Sequence, residues 1–268
     1  MKHSTILPTA KNKYICAGGV MLLTVLAVTS LFVGKYPLSL DRLFSGDVYQ
    51  WRIFLTLRLS RTVVGVLGGF TLGVAGFVCQ TVFRNPLASP DIIGVSSGAS
   101  AGAAVGILFL AGAASVTVCA FAGALLAMIL ALGLSSLDRS GKHQTIVLAG
   151  IAVHSLAQTA LMLLKLTADP EQELAAIEYW IMGSLNGITL KKIPGALLIV
   201  ALCFLALTLL YRQILLLSVD EDEAALLGVS VGKMRLLILI LATLMISAVI
   251  SVTGIISFVG LLAPHSAR

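Results

Sequence analysis

The sequence predicts an all-α protein, a polytopic bundle of transmembrane helices with about seven spans. Three observations predict it. Hydrophobic residues make up 58% of the 268 residues and charged residues only 11%, roughly half the charged share of a soluble domain. Mean hydropathy is +1.03. The apolar residues fall in runs too long for strands and too many for one buried core. An ordinary water-soluble globule is excluded.

A crossing needs about 20 apolar residues, and the runs can be taken in order. The first covers residues 15–34. Lys11 and Lys13 precede it as they would a signal peptide, but it exceeds the ~7–15-residue apolar region of such a signal and no small-residue cleavage site follows. It is expected to be retained. The second covers residues 62–83. Residues 92–137 contain no charge over 46 positions, which as one helix would be about 69 Å long, roughly twice the bilayer core. They must form two spans, with the turn at the small-residue cluster 111–115. The fifth, sixth and seventh spans are expected at residues 145–166, 193–217 and 236–259. The whole chain 1–268 reads as one transmembrane domain, with residues 1–14 and the loop 218–235 in the cytoplasm.

The net charge of +6 does not point to nucleic acid, because the basic residues are scattered between apolar runs rather than gathered in a patch. Cys16, Cys79, Cys119 and Cys203 all lie within apolar segments and form no CxxC pair. Neither a disulfide framework nor a zinc site is expected. His3, His143 and His265 have no metal-ligand spacing, so no metal and no cofactor are expected.

Seven spans put the termini on opposite sides. With the amino terminus inside, the 18 basic residues divide nine against nine, which does not follow the positive-inside bias. Five of the outer nine, Lys35, Arg42, Arg52, Arg58 and Arg61, sit in one outer loop. A basic loop on that side suggests an acidic partner.

Gly65, Gly69 and Gly73 in the second span, and Gly98, Gly102 and Gly106 in the third, recur every four residues. Each set places a glycine stripe on one helix face, which lets helix backbones approach closely in lipid. Close packing is the expected use of both. His154 and Gln158 share a face of the fifth span, and an interhelical hydrogen bond is expected of them, with a polar lining as the alternative. Thr243, Ser247 and Ser251 make a similar stripe in the seventh.

Residues 84–91, Arg-Asn-Pro-Leu-Ala-Ser-Pro-Asp, contain two prolines and read as a tight connector. The segment 218–228 carries Asp220, Glu221, Asp222 and Glu223 in succession, which cannot be buried in hydrocarbon. Ser218 with Glu221 is a capping-box pattern and Gly228 suits a helix stop. The pattern predicts a short helix of about nine residues, too short to be stable alone in water. It needs a docking surface, for which Ala224, Ala225, Leu226 and Leu227 offer an apolar face; a solvated charged loop is the alternative. No GxxxxGK[ST] motif occurs, so the chain itself is not expected to hydrolyse ATP.

Together these segments resemble the FecCD family, the permease subunits of ATP-binding-cassette importers for ferric siderophores, haem and cobalamin. The resemblance is carried by Leu57-Arg58-Leu59-Ser60-Arg61, by Gly76 to Gln80, by Arg84 to Val95, and by Leu148-Ala149-Gly150-Ile151. It continues in Trp180 to Gly187, the acidic Ala-Ala-Leu-Leu-Gly loop, and Gly254 to His265. It implies that Arg58 and Arg61 dock a substrate-binding protein. It implies that Asp220, Glu221, Glu223, Ala224, Ala225, Leu227 and Gly228 form a coupling helix against an ATPase subunit. It also makes Gln144 and Thr145 part of a cytoplasmic gate. The implied partners are that ATPase, the binding protein, a second permease subunit (a homodimer or heterodimer) and membrane lipid. The implied location is a bacterial cytoplasmic (inner) membrane. Similarity of residues 183–187 to siderophore permeases favours a ferric siderophore as cargo over cobalamin.

Two departures carry expectations. Ser60 stands where the family usually has proline, so a looser turn is expected there. The family has about ten spans, so a chain ending at Arg268 reads as truncated, lacking about three C-terminal spans. It would insert without transporting, with the Thr243-Ser247-Ser251 face left open. The competing class is an ion-coupled secondary transporter or channel. Intramembrane carboxylates would favour that class, yet all twelve acids fall outside the apolar runs.

Overall fold

The computed structural model describes residues 10–34, 36, 38–110, 112–137, 143–186, 188, 190, 193–218 and 230–267. Two compact units divide the chain, Met1–Val66 and Leu67–Arg268. Every regular element among the described residues is helical. Among the described residues, five helices are long and apolar enough to cross a membrane.

The first unit holds α1 (Ala10–Phe32), α2 (Leu40–Phe44), α3 (Val48–Ile53), a π-helical turn (Phe54–Leu59) and the start of α4 (Ser60–Val82). Here an expectation is corrected, because most of the segment read as an outer loop is helix. The sequence supplies the reasons. Asp47 accepts the N–H of Tyr49 at 2.9 Å and starts α3, a standard N-terminal cap. The indole N–H of Trp51 donates to the Leu43 carbonyl at 3.0 Å, and its ring meets Phe54 edge-on at 5.8 Å. From Val48 to Val82 the helix then runs unbroken for 35 residues. Ser60 permits this: it keeps the backbone N–H that proline lacks, and its buried hydroxyl donates to the Thr56 carbonyl. The turn expected at Ser60 is a π-helical passage.

The second unit holds the rest of α4, a 3₁₀ turn (Pro90–Ile93), α5 (Val95–Phe109), α6 (Ala113–Ser136), α7 (His143–Thr167) and α8 (Glu173–Met182). It continues with α9 (Ile193–Leu209), α10 (Tyr211–Leu216), α11 (Val231–Thr253) and α12 (Val259–Ser266). Each expected span is helical. The 46-residue uncharged stretch breaks at Leu110 to Gly112, and Gly112 takes φ +107, close to the expected turn. α5 and α9, at 15 and 17 residues, are shorter than the others.

α11 is the central helix, with 67% of its span buried. Its core residues Ile238, Leu239, Ala242, Met245, Ile246 and Val249 join a cluster with α4, α5, α6 and α9. The Thr243-Ser247-Ser251 stripe therefore lies inside the unit, at 1%, 0% and 5% exposure, not on an open face. Ser247 and Ser251 donate to the Thr243 and Ala248 carbonyls of their own helix at 2.7 and 3.0 Å, which lets hydroxyls sit in an apolar core.

The two glycine stripes part ways. Those of α5 interlock with α6: a Cβ on Gly98, Gly102 or Gly106 would overlap Gly123, Cys119 or Val116. In α4, Gly69 has nothing within 4 Å of its Cβ position and Gly73 only the Ala263 methyl at 3.7 Å. These two floor an apolar groove of ≈ 680 Å³ walled by Phe70, Phe77, Phe204 and Tyr211. Close packing holds for Gly98, Gly102 and Gly106 of the third span and not, within the described residues, for Gly69 and Gly73 of the second.

Candidate functional site

In the first unit the site is an arginine clamp. α1 ends at Phe32, leaving carbonyls without helical partners. Just past that end, the guanidinium of Arg58 donates to the Val33 carbonyl and to the Tyr36 carbonyl, the latter at 2.7 Å. A cation at a helix C-terminus is favoured by the helix dipole as well. The contact depends on Gly34, where any Cβ would overlap the guanidinium. Arg58 is 8% exposed, its side chain turned into its own unit. Arg61, one helical step on, is half-buried, and no described residue accepts a hydrogen bond from it. Sequence reading missed Gly34, whose only signal was its place at the end of an apolar run.

At the opposite end of α4 the chain turns at Arg84, which takes a positive φ of 50°. Asn85 accepts the Leu87 N–H at 2.9 Å and closes the turn. The Nε of Arg84 donates to the Leu217 carbonyl at 3.2 Å, tying the end of α4 to the end of α10. Leu217 stands three residues before Asp220, the first of the acidic run. The residues expected to couple to an ATPase, Asp220, Glu221, Glu223, Ala224, Ala225, Leu227 and Gly228, lie outside the described residues. The role of Arg84 was not legible, because its acceptor is a carbonyl 133 residues away. A polar recess of ≈ 250 Å³ lies here, lined by Gln80, Thr81, Arg84, Asn85, Pro86 and Ser218. Gln144 and Thr145 begin α7; Thr145 is half-buried, and the Gln144 side chain lies outside the described residues.

The remaining motif segments meet one another. A Cβ on Gly76 would overlap the Gly260 carbonyl, and Gln80 donates to the Leu261 carbonyl at 3.2 Å. A Cβ on Gly150 would overlap the Ile92 carbonyl. Gly183 and Gly254, with φ of 70° and 73°, cross so closely that each leaves no room for a side chain, and the Ser184 N–H donates to the Thr253 carbonyl at 2.7 Å. The motifs are helix crossings. None of the seven described acids, Asp41, Asp47, Asp91, Asp169, Glu171, Glu173 and Glu178, lies in a long apolar span. Among the described residues no cluster of three or more His, Cys, Asp or Glu could hold a metal.

A bundle of apolar, membrane-length helices with interlocked crossings suits a permease. The chain belongs to the FecCD transport family, whose model matches residues 22–268. It is 36% identical over 259 residues to the hemin transport system permease protein of Yersinia pestis, covering 92% of this chain and 76% of that one. It is 34% identical to the ferric enterobactin transport system permease protein of Escherichia coli, covering 93% and 72%. The molybdate import system permease protein of Haemophilus influenzae is 32% identical, covering 95% and 78%. Among solved structures, a protein described as a metal-chelate type ABC transporter in an inward-facing conformation matches with a TM-score of 0.85 and 31% identity. That match covers 95% of this chain and 80% of the other. The chain is thus a multi-pass permease subunit of an ATP-binding-cassette importer.

Proposed function

We propose that this permease passes a ferric siderophore chelate, delivered by a binding protein, through the cytoplasmic membrane, with ATP hydrolysis on a separate subunit. The observation that carries the proposal is the pair of differently equipped ends of α4. Arg61 stands at the outer end with no described acceptor. At the inner end Arg84 is fastened to the residue that leads into the acidic segment. In this reading Arg61 takes the acidic surface of the binding protein, while Arg58 holds the outer end of α1 in place behind it. Residues 220–228 seat in the ATPase, and Gln144 and Thr145 close the cytoplasmic end of the path. A second permease subunit completes the assembly.

The iron-chelate cargo is supported by the residues 183–187 pattern and by relatives whose names carry hemin and ferric enterobactin. The placement of the described acids outside the long spans weighs against proton coupling. The test is ATPase turnover of the permease assembled with its ATPase, measured with binding protein loaded in turn with a ferric siderophore, cobalamin and molybdate. Stimulation by the ferric siderophore complex alone is expected; stimulation only by cobalamin or molybdate would overturn the cargo.

A further inference from the structure

α4 ends in a turn that normally asks for glycine. The N–H of Arg84 donates to the Thr81 carbonyl and the N–H of Asn85 to the Gln80 carbonyl, each at 3.2 Å, the paired bonds of a helix stop whose left-handed residue is usually glycine. That residue here is Arg84, at φ 50°, where a side chain strains the backbone. Glycine would close the turn with less strain, so the arginine is there for its side chain. That side chain reaches the Leu217 carbonyl at 3.2 Å, at the end of α10.

One turn back along α4, Gln80 makes the same kind of contact with a different element. Its carboxamide nitrogen donates to the Leu261 carbonyl of α12 at 3.2 Å, and because a carbonyl can only accept, the orientation of the amide is fixed. Gln80 is 2% exposed, and its Oε1 has no donor among the described residues. A buried amide with one half unmet is costlier than a leucine of similar size, so the Leu261 bond is what the residue contributes. Beside it, a Cβ on Gly76 would overlap the Gly260 carbonyl, and α12 cannot slide along α4 without carrying it. Two side chains four residues apart thus join the inner end of α4 to α10 and to α12. The polar recess of ≈ 250 Å³ that both of them line gives the joint room to shift.

We propose that Gln80 and Arg84 are positioning residues, a two-armed strut that carries movement of the segment following α10 through the end of α4 to α12. The inference rests on the importer reading above, in which residues 220–228 seat in the ATPase, and adds to it the side chains by which that segment grips the membrane helices. The connection runs from the Leu217 carbonyl to Arg84, back one turn of α4 to Gln80, and on to the Leu261 carbonyl.

The test uses Arg84→Gly, which keeps the turn and removes one arm, and Gln80→Leu, which keeps the volume and removes the other. Hydrogen exchange of the purified permease reads each arm. Arg84→Gly should speed exchange about tenfold at the N–H groups of Leu217 and Ser218, which close α10 on the Gln213 and Leu215 carbonyls, while residues 83–85 exchange no faster than in the wild type. Gln80→Leu should do the same at Leu261 and Leu262, whose N–H groups are bonded to the Phe258 carbonyl. In permease assembled with its ATPase, each variant should lower the ratio of binding-protein-stimulated to basal turnover at least threefold. The double variant should fall no further than the worse single one, because both changes interrupt one connection. Wild-type exchange of α10 in Arg84→Gly, or losses that multiply in the double variant, would overturn the strut. Exchange does not depend on ATP turnover. A wild-type permease that shows no stimulation would therefore sink the importer reading alone, and normal stimulation in both variants despite faster exchange would sink the strut alone.

Discussion

Replacing Gly34 by alanine should release the end of α1. The methyl group would occupy the position of the Arg58 guanidinium, which must then leave the Val33 and Tyr36 carbonyls. Hydrogen bonds to a charged group contribute about 1.5–3 kcal/mol each. Arg58 is 8% exposed, so little water is present to replace them in the folded state. The displaced group regains solvent only by moving outward, and the net loss is about 2–3 kcal/mol, one such bond's worth. At about 1.4 kcal/mol per tenfold, local opening should rise about 30- to 150-fold. Hydrogen exchange of the last turn of α1, whose Val33 N–H is bonded to the Thr29 carbonyl, reads this directly. Arg58→Gln should give a similar increase, and the double variant should be no worse than Arg58→Gln alone, because both changes remove the same contact. Wild-type exchange in Gly34→Ala, or effects that simply add, would refute the clamp.

Three further outcomes are expected. Gly102→Leu should separate α5 from α6, since even a Cβ there overlaps the Cys119 carbonyl; monodisperse protein in detergent should be lost, whereas Gly69→Ala, with open space around it, should purify as wild type. Arg61→Glu should weaken association with the loaded binding protein about tenfold at low salt, and the difference should shrink as ionic strength rises; an affinity indifferent to both charge and salt would remove Arg61 from the docking surface. Gly228→Leu should lower binding-protein-stimulated ATPase turnover severalfold while membrane insertion is unchanged, and full stimulation would count against the coupling helix.

The helices were legible because hydrocarbon imposes length and apolarity on every crossing, and residues 143–167 and 231–253 lie close to the runs read from hydropathy. What hydropathy hides is helix at the water boundary. Residues 40–59 carry Arg42, Arg52 and Arg58 and so read as loop, yet the Asp47 cap and the Trp51 contacts make them helical. The small-residue stripes were legible as stripes, but whether a partner helix fills them is decided elsewhere in the chain, by Cys119 and Gly123 for α5. Arg58 shows the same limit at the site. Its charge was visible and its direction was not, because direction depends on Gly34 and on two carbonyls more than twenty residues away.

The measurement closest to the central claim is ATP hydrolysis by the ATPase subunit bound to this permease, with and without the loaded binding protein. A permease subunit of this family should retain the ATPase through a tagged copy of the chain, and turnover should rise severalfold when the loaded binding protein is added. A chain that retains no ATPase and instead accumulates cargo on a proton or sodium gradient in the absence of ATP would contradict the account.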